Sequence, residues 1–196
     1  MGEVQAAGAA TGDQIADPKA GPDSAMSAPV ASTSPFDAAF EFVLLAEGGE
    51  SNDPNDPGGL TRYGIAQNRH PGVDVAHLTL EQAKGIYRRD YWQPIHGDNL
   101  PPSVALALFD ACVNVGVGRG ISLLQQALGV QIDGVVGSKT LAAASRQYRS
   151  ILPKFMARRA LYYAELAQVN PRFRTYLHGW LVRCFKCQVA ALELNR

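Results

Sequence analysis

The sequence predicts a mainly helical α+β domain with one small β-hairpin near its start. Three observations favour this class. Apolar residues recur at helical spacing from residue 36 onward, turn-forming Pro and Gly concentrate in residues 48–68, and the nearly all-apolar segment 104–116 suits a buried central helix. The chain has 196 residues, 46% of them hydrophobic, which is enough for one domain with a substantial core.

The N-terminal segment, residues 1–35, differs in composition from the rest. It is rich in Ala, Gly, Pro, Ser and Asp and contains few large apolar side chains. Such a segment buries too little surface to offset the entropy of ordering, so we expect a disordered tail. It also lacks the charged start and apolar block of a secretory signal, so we expect a chain made in the cytoplasm without a signal peptide.

A first helix is predicted at the start of the domain. Ser34 suits an N-cap and Pro35 suits the first turn. The helix is expected to end at Glu47, because Gly48 and Gly49 favour termination.

A short hairpin should follow within residues 48–68, since Asp-Pro, Pro-Gly and Gly-Gly pairs are turn signals. Within it, Thr61, Tyr63 and Ile65 alternate along the chain in the pattern of a short strand.

Helical patterns fill the remainder of the chain. Thr79 with Gln82 forms a capping box, and Pro101-Pro102 precedes the apolar central helix. The predicted helical segments are 80–92, 104–116, 118–129, 138–148, about 150–168 and about 171–194, with a turn at 130–137.

The charges are segregated although the formal net charge is zero. Residues 1–138 contain 7 Lys/Arg and 16 Asp/Glu, whereas residues 139–196 contain 11 and 2. This asymmetry suggests an anionic partner such as nucleic acid, a membrane surface or an anionic cell-wall polymer. Solvated basic helix faces would give the same pattern, and composition leaves the two interpretations open.

The three cysteines are Cys112, Cys184 and Cys187, and this odd count argues against a full disulfide framework. Cys184 and Cys187 lie one helical turn apart, where both can face the core. We therefore expect reduced, buried thiols and no zinc site. No run of about 18 or more apolar residues occurs, so no membrane span is predicted.

The most informative segment is LLAEGGESNDPNDPGGLTRYGIAQ, residues 44–67. Glycoside cleavage requires an acid for the departing oxygen and a second group that positions water or attacks directly. Glu47 ends an apolar helix, and partial burial there would raise its pKa. Asp56 lies in a Pro-stiffened turn that would hold a carboxylate at a fixed distance, and the Thr61 hydroxyl could orient a water.

A structural interpretation of the same residues stays open, with Glu47 as an exposed helix terminus and the aspartates beginning turns. Glutamate is not favoured at that position, because the helix dipole is negative there. A calcium loop beginning at Asp53 is rejected. Its fifth and twelfth positions would be Pro57 and Gly64, so two ligands are missing.

The segment EGGESNDPNDPGGLTRYGIA resembles the signature of glycoside hydrolase family 108, the peptidoglycan-cleaving N-acetylmuramidases of phage lysis cassettes and bacterial genomes. The resemblance extends over most of residues 36–192. It includes YW at 91–92, DACVNVGVGRG at 110–120 and RFRTYLHGWLVR at 172–183. The turn IDGVVGSKTL is similar to that of peptidoglycan-binding modules. Glu50 departs from the pattern, since the family commonly has an aromatic residue there.

The resemblance implies a lysozyme-like fold with Glu47 as catalytic acid. Glu47, Asp56 and Thr61 also match the spacing of the catalytic set in phage-type lysozymes. It further implies a muramidase domain at 36–196, with a catalytic core at about 36–120 and a peptidoglycan-binding-like helical region at about 121–196.

Four further residues are candidates for substrate binding. Tyr63 and Gln67 follow Thr61 and would line sugar subsites. Asn114, on the apolar central helix, would bind an N-acetyl group or a sugar hydroxyl, or else make a structural contact. Trp92 is a candidate for stacking on a sugar ring, as is Trp180, and core packing is the alternative for both indoles.

These observations predict a monomeric peptidoglycan hydrolase that cuts the β-1,4 bond between N-acetylmuramic acid and N-acetylglucosamine. It would need no metal and no cofactor, and its basic C-terminal helices would contact the anionic envelope. Asp56 and Thr61 would hold water for an inverting attack, whereas a separation of about 5 Å between Asp56 and Glu47 would favour retention.

Two rival functions remain at this point. One is a non-catalytic wall-binding structural component, which would bind peptidoglycan without needing Glu47. The other is a nucleic-acid binder, which would leave the opening motif unexplained, so no nucleic-acid partner is predicted. Delivery to the periplasm or cell wall would need a holin, as for a phage endolysin, or secretion machinery, as for an antibacterial effector.

Overall fold

The computed structural model describes residues 34–47 and 60–194. Most of the predicted tail at 1–35 lies outside these ranges. The predicted turns at 48–59, which contain Asp56, Asp53 and Glu50, lie outside them entirely. Within them the chain forms seven α-helices, short 3-10 and π-helical turns, and one two-stranded sheet. The predicted mainly helical class with one small hairpin is confirmed.

The helix bounds follow the predicted segments closely. They are α1 Pro35–Glu47, α2 Leu80–Tyr87, α3 Pro102–Val115, α4 Val117–Leu128, α5 Ser138–Gln147, α6 Ile151–Val169 and α7 Arg174–Glu193. None of these helices combines the length and apolarity that a membrane span requires.

Two helix starts form as the sequence indicates. At α1, the Ser34 hydroxyl accepts a hydrogen bond from the Asp37 backbone N–H at 3.1 Å. At α2, Thr79 and Gln82 form the predicted capping box in both directions. The segment after α2 differs from a regular helix, because residues 88–92 make a π-helical turn.

The core is built around α3, whose residues 103–112 are all buried. This helix packs against α1, α4, α6 and α7, so the two halves of the chain share one core. Phe36, Phe40 and Val43 anchor α1 in that core. The prediction of a central helix that is buried on all sides is therefore confirmed.

The hairpin pairs Thr61–Arg62 (β1) with Ile65–Ala66 (β2), in antiparallel register Thr61↔Ala66 and Arg62↔Ile65. The expectation that Thr61, Tyr63 and Ile65 belong to one strand is wrong. Tyr63 and Gly64 are the turn, with φ of 53° and 76°, as in a type I′ hairpin, whose two positive φ values match the strand twist.

The turn between α4 and α5 is held by the buried side chain of Gln125. Its Nε2 donates to Asp133 Oδ1 at 2.7 Å and to the Val135 carbonyl at 2.9 Å, and its Oε1 accepts from the backbone N–H groups of Asp133 and Gly134. One buried amide therefore fixes the backbone of the IDGVVG segment. Sequence patterns did not indicate this contact.

Helices α3 and α4 approach each other closely at Gly120. A Cβ at this position would lie 2.7 Å from Cys112 Sγ and 3.1 Å from the Cys112 backbone nitrogen. We expect Gly120→Ala to lower the free energy of unfolding by about 1–3 kcal/mol, because backbone must move to admit a methyl group. Urea denaturation would measure this change.

Gly118 is the matched control, since it lies on the same helix and a Cβ there meets nothing within 4 Å. Gly118→Ala should be stabilising, by about 0.5–1 kcal/mol, through helix propensity. Equal effects of the two substitutions would show that the close approach at Gly120 is unimportant.

The thiols of Cys112, Cys184 and Cys187 are free and buried, as predicted. Burial raises the pKa of each thiol above its ordinary value. They therefore behave as small apolar groups of the core.

Candidate active site and glycan-binding region

The first catalytic candidate, Glu47, is the last residue of α1. Its backbone position is set by the buried apolar face of this helix, which includes Phe40 and Val43. The Glu47 side chain lies outside the described part of the structure, as does the whole of Asp56. Their catalytic roles stay predictions.

The third candidate, Thr61, opens β1 and is half-buried. Two contacts made by Tyr87 hold the hairpin against the helices. Tyr87 Oη donates to the Tyr63 carbonyl at 3.2 Å, and the Tyr87 ring lies 5.4 Å from the Phe40 ring of α1. One tyrosine therefore links the hairpin that carries Thr61 to the helix that ends at Glu47.

A second link fixes the far side of the hairpin. Arg62 Nη1 donates to the Ala76 carbonyl at 2.9 Å, and Ile65 is buried. The Arg62 guanidinium also lies over the Tyr63 ring, 5.4 Å from its centroid. The Tyr63 ring is half-buried, which leaves part of it open to solvent.

Gln67 makes structural contacts in the loop that follows the hairpin. Its Nε2 donates to the His70 and Val73 carbonyls at 3.2 and 2.7 Å, and its Oε1 accepts from the Val75 backbone N–H at 3.2 Å. The amide that was predicted to line a sugar subsite is therefore engaged with the loop backbone. Sugar binding by Gln67 stays a prediction.

The structure contradicts the prediction that Trp92 stacks on a sugar ring. Its side chain is 0% exposed and packs edge-on against Phe36 and Phe109, with ring centroids at 5.2 and 5.6 Å. Its indole N–H donates to Asp98 Oδ1 at 2.9 Å. A ring enclosed in this way presents no face to a sugar, so the core interpretation holds for Trp92.

Trp180 differs, because it is half-buried on α7. Its ring lies 5.0 Å from that of Tyr163, 5.9 Å from that of Phe173 and 6.0 Å from that of Tyr176. We call Phe173, Tyr176 and Trp180 the aromatic patch. All three are only half-buried, so the patch keeps an accessible surface.

Asn114 lies in the last turn of α3 and is half-buried. Its Oδ1 accepts a short hydrogen bond from Tyr163 Oη, so it makes a structural contact across to α6. Tyr163 is almost fully buried, and burial raises the pKa of its hydroxyl to about 12. The phenol therefore keeps its proton and acts as a donor at neutral pH.

A buried charge cluster lies behind this contact. Asp110 Oδ2 lies 2.8 Å from Arg159 Nη2, and Asp110 Oδ1 accepts from Arg183 Nε at 2.8 Å. Asp110 and Arg159 are both 0% exposed. The Oδ2 contact is short but not aligned as a hydrogen bond, so we treat it as an ion pair.

Burial alone would raise the pKa of Asp110, but the opposing charges of Arg183 and Arg159 outweigh it and hold that pKa below its ordinary value. The ionised cluster joins α3, α6 and α7. Sequence analysis missed it. An aspartate within the apolar run of α3 was the available signal, because a buried charge requires a partner.

A separate groove of about 560 Å³ lies between the 72–78 loop and α2. Its ionisable side chains are already paired. His77 contacts Asp74 at 2.8 Å, and Arg89 pairs with Asp90. The ionisable side chains that line the groove therefore contact one another or a neighbouring residue. Within the described residues there is no group of three or more His, Cys, Asp or Glu that could hold a metal ion.

Comparisons with known proteins agree with this architecture. The sequence model of the family described as glycosyl hydrolase 108 matches residues 40–116, and that of a predicted peptidoglycan domain matches residues 119–185. The structure of Brucella abortus SagA is 33% identical in sequence, with a TM-score of 0.71. That match covers 82% of this chain and 95% of SagA. No curated protein matches the chain.

The fold and these matches define a lysozyme-like glycoside hydrolase that acts on peptidoglycan. The chain belongs to the glycosyl hydrolase 108 family and carries a peptidoglycan-binding region after the hydrolase region. The resemblance identified from the opening motif is thus confirmed. The boundary predicted at about residue 120 and the monomeric state stay predictions.

Proposed function

We propose that this protein is an N-acetylmuramidase that cleaves the β-1,4 bond between N-acetylmuramic acid and N-acetylglucosamine. One observation carries the proposal. The Glu47–Thr61 motif falls inside the region matched by the glycosyl hydrolase 108 family, where α1 is followed by the hairpin. A carboxylic acid at the end of a core-anchored helix is suited to general acid catalysis.

In the proposed mechanism, Glu47 donates its proton to the glycosidic oxygen as the bond to C1 of the muramic acid breaks. Asp56 and Thr61 hold a water on the opposite face of the sugar. Asp56 accepts a proton from this water as its oxygen attacks C1, which inverts the anomeric configuration. The protonated leaving group departs as the 4-hydroxyl of N-acetylglucosamine, so atoms and charges balance.

The position of the hairpin supports the role proposed for Thr61. General acid–base catalysis requires groups held at fixed separations. The Tyr87 contacts to Phe40 and to the Tyr63 carbonyl hold α1 and the hairpin together. Thr61 therefore has a defined place relative to the end of α1, which favours a single bound position for the water.

Product analysis tests the bond specificity. Purified peptidoglycan is digested with the wild-type protein, the fragments are reduced with borohydride, and their reducing ends are identified by mass spectrometry. We expect reduced muramic acid at every new end. Reduced glucosamine ends would instead indicate a glucosaminidase and would contradict the proposal. Anomer analysis by NMR immediately after cleavage distinguishes inversion from retention.

The match of residues 119–185 to a peptidoglycan domain also favours a second function, non-catalytic binding to the wall. The same digestion distinguishes the two. A protein that sediments with peptidoglycan but releases no fragments is a binding component. Lysis of the producing cell and attack on a neighbouring cell would use the same cleavage. Supplying the protein from inside or from outside target cells distinguishes these two roles.

A further inference from the structure

We propose that the aromatic patch and Asn114 together form a subsite for an N-acetylated sugar of the glycan strand. The identity of the glycan rests on the proposed function. The subsite itself is argued from contacts on α3, α6 and α7. It assigns a ligand-binding role to Trp180 and Tyr176, which lie on the C-terminal helix of the fold.

The accessible aromatic surface is the first observation. Tyr176 and Trp180 lie one helical turn apart on α7, and Phe173 precedes them in the 3-10 turn Pro171–Phe173. Each of the three is half-buried. The rings of Phe173 and Tyr176 cluster around Trp180, which also contacts Tyr163. Tyr and Trp offer an apolar ring together with a polar tip, which suits the C–H face and hydroxyl rim of a pyranose.

The orientation of the Asn114 amide is the second observation. Tyr163 Oη accepts from Arg159 Nη2 at 3.3 Å, and a guanidinium can only donate. The Tyr163 proton is therefore directed to Asn114, whose oxygen accepts it. This leaves the Asn114 Nδ2 donor available to a sugar hydroxyl or an N-acetyl carbonyl.

Unpaired donors are the third observation. Within residues 34–47 and 60–194, no side chain or carbonyl accepts from Asn114 Nδ2 or from the indole N–H of Trp180. Neither atom is among the fully buried polar atoms that lack a partner. Both donors therefore keep some access to solvent, and a ligand can satisfy them.

Tyr163 holds the two parts of the subsite together. Its ring lies 5.0 Å from the Trp180 ring at a tilt of 30°, and its hydroxyl binds Asn114, so both lie within reach of one short oligosaccharide. The buried Arg159–Asp110 pair fixes Tyr163 in turn. Such rigid backing lowers the entropy cost of binding.

The chemistry of the subsite favours a neutral sugar over other ligands. Its unpaired donors are an amide and an indole, which match hydroxyl and N-acetyl oxygens. The patch also lies inside the region that matches the peptidoglycan domain, residues 119–185. Sugar binding here would place a glycan strand on the C-terminal helices while the Glu47 region acts on another part of it.

The tryptophans provide a direct test, because the chain has two and Trp92 is wholly buried. Acrylamide should therefore quench mainly Trp180. We expect soluble, amidase-released glycan strands to protect the full-length Glu47→Gln protein from quenching, since this variant should cut them about a thousand-fold more slowly than the wild type. In the same background, Trp180→Phe should weaken sedimentation with peptidoglycan about tenfold.

Phe185→Leu is the matched control, because Phe185 is an exposed aromatic on the same helix outside the patch. It should leave protection and sedimentation unchanged. Equal sedimentation of the Trp180→Phe protein and its parent would overturn the subsite, as would unprotected fluorescence of the parent with strands bound.

Product analysis separates this inference from the proposed function. If the wild type releases fragments with muramic-acid ends but the strands do not protect Trp180 from quenching, the subsite is excluded and the proposed activity stands. If the strands protect Trp180 but the wild type does not cleave peptidoglycan, the subsite is supported and the muramidase assignment is excluded.

Discussion

Replacing Glu47 with Gln is expected to lower the rate of peptidoglycan cleavage by about a thousand-fold. Glutamine keeps the shape of the side chain but has no acidic proton, so the leaving oxygen would depart as an alkoxide. General acid catalysis typically contributes about 10²–10⁴-fold to a rate. The rate of release of soluble fragments from purified peptidoglycan measures the effect.

Glu41→Gln provides the matched control for this prediction. Glu41 lies on the same helix, is exposed, and undergoes the same change in charge and shape. Its cleavage rate should stay within about twofold of the wild type, since exposed substitutions away from a site have small effects. Comparable losses in both variants, or an active Glu47→Gln protein, would exclude Glu47 as the acid.

The largest loss of stability is expected for Asp110→Asn. The substitution removes the charge that neutralises Arg159, which is 0% exposed and cannot gain water without unfolding. Removing one partner of a buried ion pair lowers the free energy of unfolding by about 3–5 kcal/mol. For a chain of this size we expect Tm to fall by about 10 °C, measured by circular dichroism.

Asp74→Asn is the comparison for this effect, because it changes a surface contact in which Asp74 is 69% and His77 is 85% exposed. Exposed contacts of this kind contribute little to stability, so its Tm should change by only a few degrees. Equal losses in the two variants would show that the buried cluster contributes no more than a surface contact.

The dependence on pH follows from the lowered pKa of Asp110. Because that pKa is lower in the folded state than the ordinary value of 3.8, its contribution is present above pH 3.8 and is lost as pH falls through the folded value. The difference in stability between wild type and Asp110→Asn should therefore narrow in acid. Chemical denaturation at pH 7 and below pH 3 measures it.

Local signals in the sequence were sufficient for most of the helices. The Ser34 and Thr79 caps, the apolar run of α3 and the glycines after Glu47 act over a few residues, so they can be recognised without a tertiary structure. The strand pattern at residues 61–66 was misleading. Alternation is the same whether Tyr63 continues a strand or turns it, and only the positive φ of Tyr63 distinguishes the two.

The sequence by itself determined the fold class, the family and the candidates Glu47, Asp56 and Thr61, because these depend on residues close together in the chain. Only the tertiary structure decided which aromatic side chains are accessible. Phe36 and Phe109 enclose Trp92, while Trp180 stays half-buried with part of its ring accessible. The Asp110–Arg159–Arg183 cluster likewise joins residues up to 73 positions apart. Burial and charge pairing depend on how helices pack, and a local pattern does not contain that information.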